Sequence, residues 1–478
     1  MSNHEPGAAA RIRNEVDHPV IDSDGHLIEF LPAVMDHLEE IAGRSAVERF
    51  SLWMKEHFAP TPERQREERI QKLPFWTLPT RNTRDRATAG LPALLYERME
   101  ELGFDYCVLF PTMGLVANEV EDDELRPALC RAFNRYSAEM LSDFSLRMTG
   151  AAVIPMHAPA EAISELDYAV GELGMKVVMP NTYVRRPIPA AERLGAGRHA
   201  EWHDTYGLDS AFDYDPFWQR CLDLGVSPTF HTGTLGVGTR RSPTSYVHNH
   251  LGHFAAASEA TCRSLLLGGV THRFPDLRFA FLEGGVAWGC RLFADLVDHF
   301  EKRNRRALED CNPAHVDRAL FESLFSSYAG EGLRGRMRGP AFDDPQVATG
   351  ALGEEDLDEW RLCGVERAQD LEARFVESFY FGCEADDALT PWAYASSLNP
   401  FGSRLRTLLG SDIGHFDVPD MTRVLPEAWE PVESGELTRE DFRDFVFANP
   451  ASFWTSTNPA FFRGTAIEDA VEALHARA

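Results

Sequence analysis

Pro19-Val20-Ile21-Asp22-Ser23-Asp24-Gly25-His26 is a short apolar run that ends in an acid, a glycine and a histidine. Alternate residues of a strand point the same way, so Asp24 and His26 can aim an oxygen and an imidazole nitrogen at one point. That is a metal-binding geometry. Alone, Asp-Gly is equally an ordinary turn dipeptide, and the histidine a partner for the backbone. Three later runs shift the balance. His231 ends Val226-Ser227-Pro228-Thr229-Phe230, Glu283 ends Arg278-Phe279-Ala280-Phe281-Leu282, and Asp412 ends Leu408-Leu409-Gly410-Ser411. Four strand ends then carry side chains of metal-ligand type.

Working outward, eight strand-like runs occur, at 19–24, 105–111, 151–156, 176–180, 226–231, 278–283, 376–382 and 407–412. Between them lie segments of helical period at 91–102, 123–145, 159–173, 214–224 and 251–267, each ending at or near a glycine. Glycine supplies the left-handed conformation that stops a helix. Eight strands alternating with helices predict an α/β fold, a (β/α)8 TIM barrel, whose functional groups gather at the carboxyl ends of its strands. A doubly wound open sheet is the competing fold, but the glycine fingerprint for nucleotide binding is missing after the first strand.

The whole chain, 1–478, reads as one barrel domain with insertions at about 31–90, 181–213 and 303–374. Loops of this length on a barrel tend to cover the site. The first insertion carries Trp76 and Arg81. The tail from Thr438 begins with a capping-box pattern, Thr438-Arg439-Glu440-Asp441, and continues with Phe453-Trp454 and Phe461-Phe462. It reads as helices that close the barrel or pack on a second subunit.

Lys and Arg number 47 against 75 Asp and Glu, a formal charge of −28. Such a balance repels phosphate backbones and anionic lipid, so neither nucleic acid nor a membrane surface is an expected partner. No apolar stretch is long enough to span a bilayer, and the first twenty residues lack the apolar core of a signal peptide. Eight scattered cysteines without a C-x-x-C pair read as reduced core residues. A cytoplasmic protein is expected.

With the strand ends assembled, the chain resembles the amidohydrolase superfamily, in the branch that holds the aminocarboxymuconate-semialdehyde and resorcylate-type decarboxylases. The resemblance rests on Asp24-Gly25-His26, His231-Thr232-Gly233, the approach Arg273-Phe274-Pro275-Asp276-Leu277-Arg278, and Gly410-Ser411-Asp412-Ile413-Gly414-His415, and it covers about 19–465. It implies Asp24, His26, His231 and Asp412 as ligands of one divalent ion, with His231 and Asp412 in catalysis, and pairing into a homodimer; Glu283 is a further catalytic candidate outside the family pattern. The chain departs from these decarboxylases after the sixth strand. Where they commonly carry a histidine, Glu283 stands before Gly284-Gly285. A carboxylate there can be a ligand, a general base or a holder of another residue's proton.

Imidazoles and carboxylates without thiolates suit zinc first, with manganese and ferrous iron as alternatives. The expected reaction is non-oxidative decarboxylation of a small aromatic or unsaturated carboxylic acid. The same residues serve a hydrolase acting on an amide, lactone or C–C bond through metal-bound hydroxide. A metal-free barrel that only binds a small molecule is the third reading. His415, His157, Arg81 and Trp76 are candidate substrate contacts. His415 and His157 read equally well as backbone-bonded or rim residues, and most loop arginines bind nothing. The cluster His248-Asn249-His250-Leu251-Gly252-His253 reads as a helix entry with polar residues facing the pocket and not as a second metal site.

Overall fold

The computed structural model describes residues 7–233, 237–334 and 354–477. All eight expected strands form: β1 (Ile21–Leu27), β2 (Tyr106–Pro111), β3 (Met148–Ile154), β4 (Val177–Pro180), β7 (Thr229–Phe230), β8 (Phe279–Phe281), β9 (Phe379–Glu384) and β10 (Arg406–Gly410). Between β4 and β7, the two short strands β5 (Val184–Pro187) and β6 (Glu201–Asp204) pair antiparallel within the insertion expected at 181–213. The eight form two parallel four-stranded sheets, β1-β2-β3-β4 and β10-β9-β8-β7.

Two seams join the sheets into the (β/α)8 barrel. At one, parallel bridges pair Val178 with Pro228 and Asn181 with His231, and the Thr229 hydroxyl donates to the Val178 carbonyl at 2.7 Å. At the other, the Asp412 N–H donates to the Asp24 carbonyl at 2.9 Å. Both seams lie beside the expected ligands, so closing the barrel and assembling the site are one event.

The strands are apolar on both faces because helices cover the outside and side chains fill the inside. A row of rings, Phe230, Phe279, Phe281 and Phe379, packs with centroids 5.2–6.2 Å apart. The tail helices close the barrel on this chain itself: Phe453 packs on Tyr380 of β9, and Phe462 on Tyr106 of β2. The capping box at Thr438 and Asp441 is present.

One boundary differs in a way that matters. β1 continues past Asp24 to Leu27, so Asp24-Gly25-His26 lies inside the strand and not in a turn. Its register against β2 shifts between Asp22 and Gly25, a bulge, and a Cβ on Gly25 would meet the Asp22 carboxylate at 2.6 Å. Glycine there lets the bulged strand run on. The insertion at 31–90 is mostly helical, with helices Leu31–Ala42, Arg44–Phe58, Pro62–Glu67 and Thr83–Gly90. The stretch 335–353 of the third insertion lies outside the described residues.

Candidate metal centre

The barrel brings Asp24, His26, His231, Glu283, Asp412 and His415 to one point, all but His415 almost fully buried. Asp24 Oδ1 stands 3.8 Å from His26 Nε2 and 3.7 Å from His231 Nε2. Asp412 Oδ1 stands 3.3 Å from His26 Nε2, and Glu283 Oε2 stands 3.3 Å from His231 Nε2. Donors about 2.1 Å from a shared ion sit roughly 3–4 Å from one another, which is the spacing seen.

Asp24 Oδ1, His26 Nε2 and His231 Nε2 are buried and make no hydrogen bond, and the same holds for both Asp412 oxygens. Each such atom costs about 1–3 kcal/mol when left unsatisfied. Several of them turned on one another is the arrangement that a bound cation explains. The residues fit a divalent ion.

Burial, together with the neighbouring histidines, pushes His26 well below the usual imidazole range. Burial also lowers His231, against the opposing negative charge of Glu283. Burial and the negative charge of Glu283 push Asp24 and Asp412 well above the carboxylate range. Burial acts to raise Glu283 too, but His231 and His415 outweigh it and hold the carboxyl down at about 2.

Two backbone positions are unusual. Glu283 and Asp412, neither a glycine, adopt left-handed backbone with φ of 56° and 48°. This conformation costs an L-residue roughly 1–2 kcal/mol and clusters at functional sites. It turns both carboxylates inward as their strands end.

A ring of supporting residues fixes the donors. Asp22 accepts the Ser411 N–H and hydroxyl, and Thr112 Oγ1 lies 3.4 Å from His26 Nδ1 and 3.3 Å from His415 Nε2. Glu29 accepts the N–H groups of Met113 and Gly114 at 2.9 and 2.8 Å and so holds the turn that carries Thr112.

Of the candidate substrate contacts, His415 is in the centre, its Nδ1 2.6 Å from Asp412 Oδ1. Trp76 comes near it, packing edge-on against Phe416 at 4.9 Å and Tyr246 at 5.2 Å. His250 and Phe254 extend this aromatic wall, and Phe254 reaches the His231 ring at 6.1 Å. His157 is placed elsewhere, on a cavity of about 570 Å³ with Glu119, Tyr183, Arg185 and Arg186, whose lining includes none of the expected ligands. Arg81 is exposed. Arg240 donates to the Leu251 carbonyl and Arg241 pairs with Glu201. Among the described residues, His248, His250 and His253 belong to none of the groups of metal-type donors.

Glu384 and Asp417, which with Asp412 form a further group of metal-type donors, were not among the expected site residues. A strand read to 382 stops two residues short of Glu384; extending it to its true end brings in one more strand-end carboxylate.

The family model described as amidohydrolase matches residues 21–345, more than half of the chain. The chain belongs to the amidohydrolase family. A 2-amino-3-carboxymuconate-6-semialdehyde decarboxylase of Dictyostelium discoideum is 26% identical over 157 residues, which span 33% of this chain and 38% of that protein. The match therefore reaches little more than a third of that relative's length. An amidohydrolase structure from Mycobacterium avium subsp. paratuberculosis K-10 is similar over 92% of this chain and 98% of its own, with TM-score 0.54 and 16% identity. A dihydroxybenzoic acid decarboxylase from Polaromonas sp. JS666, solved with manganese and the inhibitor 2-nitroresorcinol, is similar over 92% of this chain and 97% of its own, with TM-score 0.50 and 14% identity. These likenesses show that this amidohydrolase shares their fold.

Proposed function

We propose that this amidohydrolase is a metal-dependent decarboxylase of a small aromatic or unsaturated carboxylic acid. The observation that carries the reading is the convergence of unpartnered, buried Asp24, His26, His231 and Asp412 donors beneath an aromatic wall of Trp76, Tyr246 and Phe416. The partial match to a decarboxylase supports it.

Asp24, His26, His231 and Asp412 would hold a divalent ion, and the ion would supply Lewis-acid polarisation of a substrate oxygen. The substrate carboxylate would bind at that site. The aromatic rings orient a planar substrate over it. Asp412, its Oδ1 2.6 Å from His415 Nδ1, would pass a proton to the carbon that loses carbon dioxide, and His415 would replenish it. Glu283 Oε2, 3.3 Å from His231 Nε2, faces the same point as the other donors.

The donor set takes zinc, and its carboxylate content admits manganese equally. We propose a cytoplasmic setting, in keeping with eight free cysteines, seven of them buried. No helix among the described residues is long and apolar enough to cross a membrane. We also propose a homodimer of single-domain chains spanning 1–478. The test is product analysis on a panel of hydroxybenzoic and unsaturated acids. Release of carbon dioxide with no 18O from labelled water in the organic product supports the proposal; 18O in the organic product establishes the hydrolase, and turnover of neither kind by metal-loaded protein leaves the binding-only barrel.

A further inference from the structure

The cavity of about 570 Å³ that His157 lines lies between the turn after β2, the loop after β3 and the β5–β6 hairpin. Small-molecule sites have volumes of about 300–1,000 Å³. Two buried polar atoms on its wall make no hydrogen bond among the described residues. Tyr183 is 2% exposed and its hydroxyl has no partner, and Nδ1 of His157 has none either. Buried polar groups are almost always satisfied, so two on one wall point to something that satisfies them.

The charges on the same wall already answer one another. Arg185 Nη2 meets Glu119 Oε2 at 3.1 Å, and Arg186 Nε meets Asp204 Oδ2 at 2.5 Å. The other Glu119 oxygen accepts from Asn181 Nδ2 at 2.7 Å, and Glu201 pairs with Arg241. An anion entering the cavity would meet Glu119, Glu121, Glu192 and Glu201, and a cation would meet Arg185 and Arg186. Burial, with Arg126, Arg186 and Arg185 nearby, pushes His157 down to about 3, so its ring is uncharged at neutral pH. What the wall lacks is hydrogen bonds, not charge.

We propose that this cavity binds a small uncharged polyhydroxyl compound, a sugar or a polyol, through Tyr183 and His157. A hydroxyl both donates and accepts. It therefore suits the Tyr183 phenol, the His157 imidazole in either tautomer, and the lone pairs that remain on the paired carboxylates of Glu119 and Glu201.

The full chain, loaded with Mn2+, would be titrated with xylitol, D-glucose and sucrose at an ionic strength of about 0.15 M. Succinate and agmatine serve as the charged probes, and binding is read by calorimetry and by saturation-transfer NMR. At least one neutral probe should bind saturably, one per chain. Tyr183→Phe keeps the ring and removes the hydroxyl, and it should raise that Kd by about 2–10-fold. His157→Leu should act in the same direction, and circular dichroism reports the folding of both. Either variant that folds decides the matter. Absence of saturable binding by all three neutral probes overturns the proposal and leaves a water-filled cavity. Binding that the folded variants leave unchanged overturns it too, because the ligand then sits elsewhere. Succinate or agmatine binding that depends on Tyr183, without binding of the neutral probes, also overturns it and assigns the cavity to a charged ligand.

Discussion

Asp22 accepts two hydrogen bonds from Ser411, one from its N–H at 3.0 Å and one from its hydroxyl at 2.7 Å. These bonds tie β1 to the turn after β10 and set Asp24 against Asp412 across the barrel seam. Asp22 is fully buried, and burial raises its carboxyl to about 6. Replacing it with Asn leaves one oxygen, so one of the two bonds loses its acceptor. Supporting partners of metal ligands are typically worth about 10–100-fold in affinity. Asp22→Asn should therefore weaken Mn2+ binding by roughly tenfold or more without unfolding the chain, as read by calorimetric titration. Unchanged affinity would show that Asp22 serves the seam alone.

Removing a donor should act more severely. His231→Ala and Asp24→Ala each take away one of the atoms 3.7 Å apart at the heart of the site. An ion stabilises charge in a transition state by several kcal/mol, and each 1.4 kcal/mol is about tenfold in rate. Carbon dioxide release should fall by about 10²–10⁴-fold in both variants, with bound metal lost in parallel. A chelator applied to the parent should reproduce the loss, and added Mn2+ or Zn2+ should restore only the parent. Full activity in a metal-free variant would refute the role given to these residues.

Strand ends were legible in the sequence because each apolar run stops where a polar, ligand-type residue appears. The reading failed where the stop was ambiguous. Phe379-Tyr380-Phe381-Gly382-Cys383-Glu384 continues through a glycine that reads as a terminator, yet Gly382 stays in the strand, where a Cβ would meet Leu282 backbone at 2.9 Å. Glu384 was missed for that reason. Asp22 was hidden within an apolar run because its partner, Ser411, is 389 residues away. Loop positions carry no periodicity, so nothing local placed Tyr246 and Phe416 beside Trp76, or set His157 on a cavity with Glu119, Tyr183 and Arg186.

Trp76 is the testable part of the aromatic wall. It is 38% exposed and touches Phe416 and Tyr246 edge-on. Edge-to-face contacts are worth about 0.5–1.5 kcal/mol beyond their buried area. Trp76→Ala should raise KM for a ring-bearing acid by roughly 3–10-fold, change kcat less than twofold, and leave the metal content as it was. A fall in kcat with KM unchanged would place Trp76 in the chemistry instead of in binding.

Away from the site, Glu165 gives the fold a pH dependence of its own. Burial raises its carboxyl from 4.5 to about 7, against the opposing hydrogen bonds from Asn134 and Arg131. The side chain is 2% exposed and accepts from Asn134 Nδ2 at 2.9 Å and from Arg131 at 3.0 Å. Because the folded state holds the proton more tightly than the unfolded chain, the stabilisation is fully present below the unfolded value near 4.5. It is lost as pH rises through about 7. The loss is on the order of 3 kcal/mol if Glu165 acts alone. Glu165→Gln keeps an oxygen for Asn134 and removes the titration. Between pH 5 and 8 the parent should lose more stability to urea than the variant does, so the two curves converge or cross. Parallel curves across that range would show that Arg131 keeps Glu165 ionised in the folded protein, with its carboxyl below the range that burial alone sets.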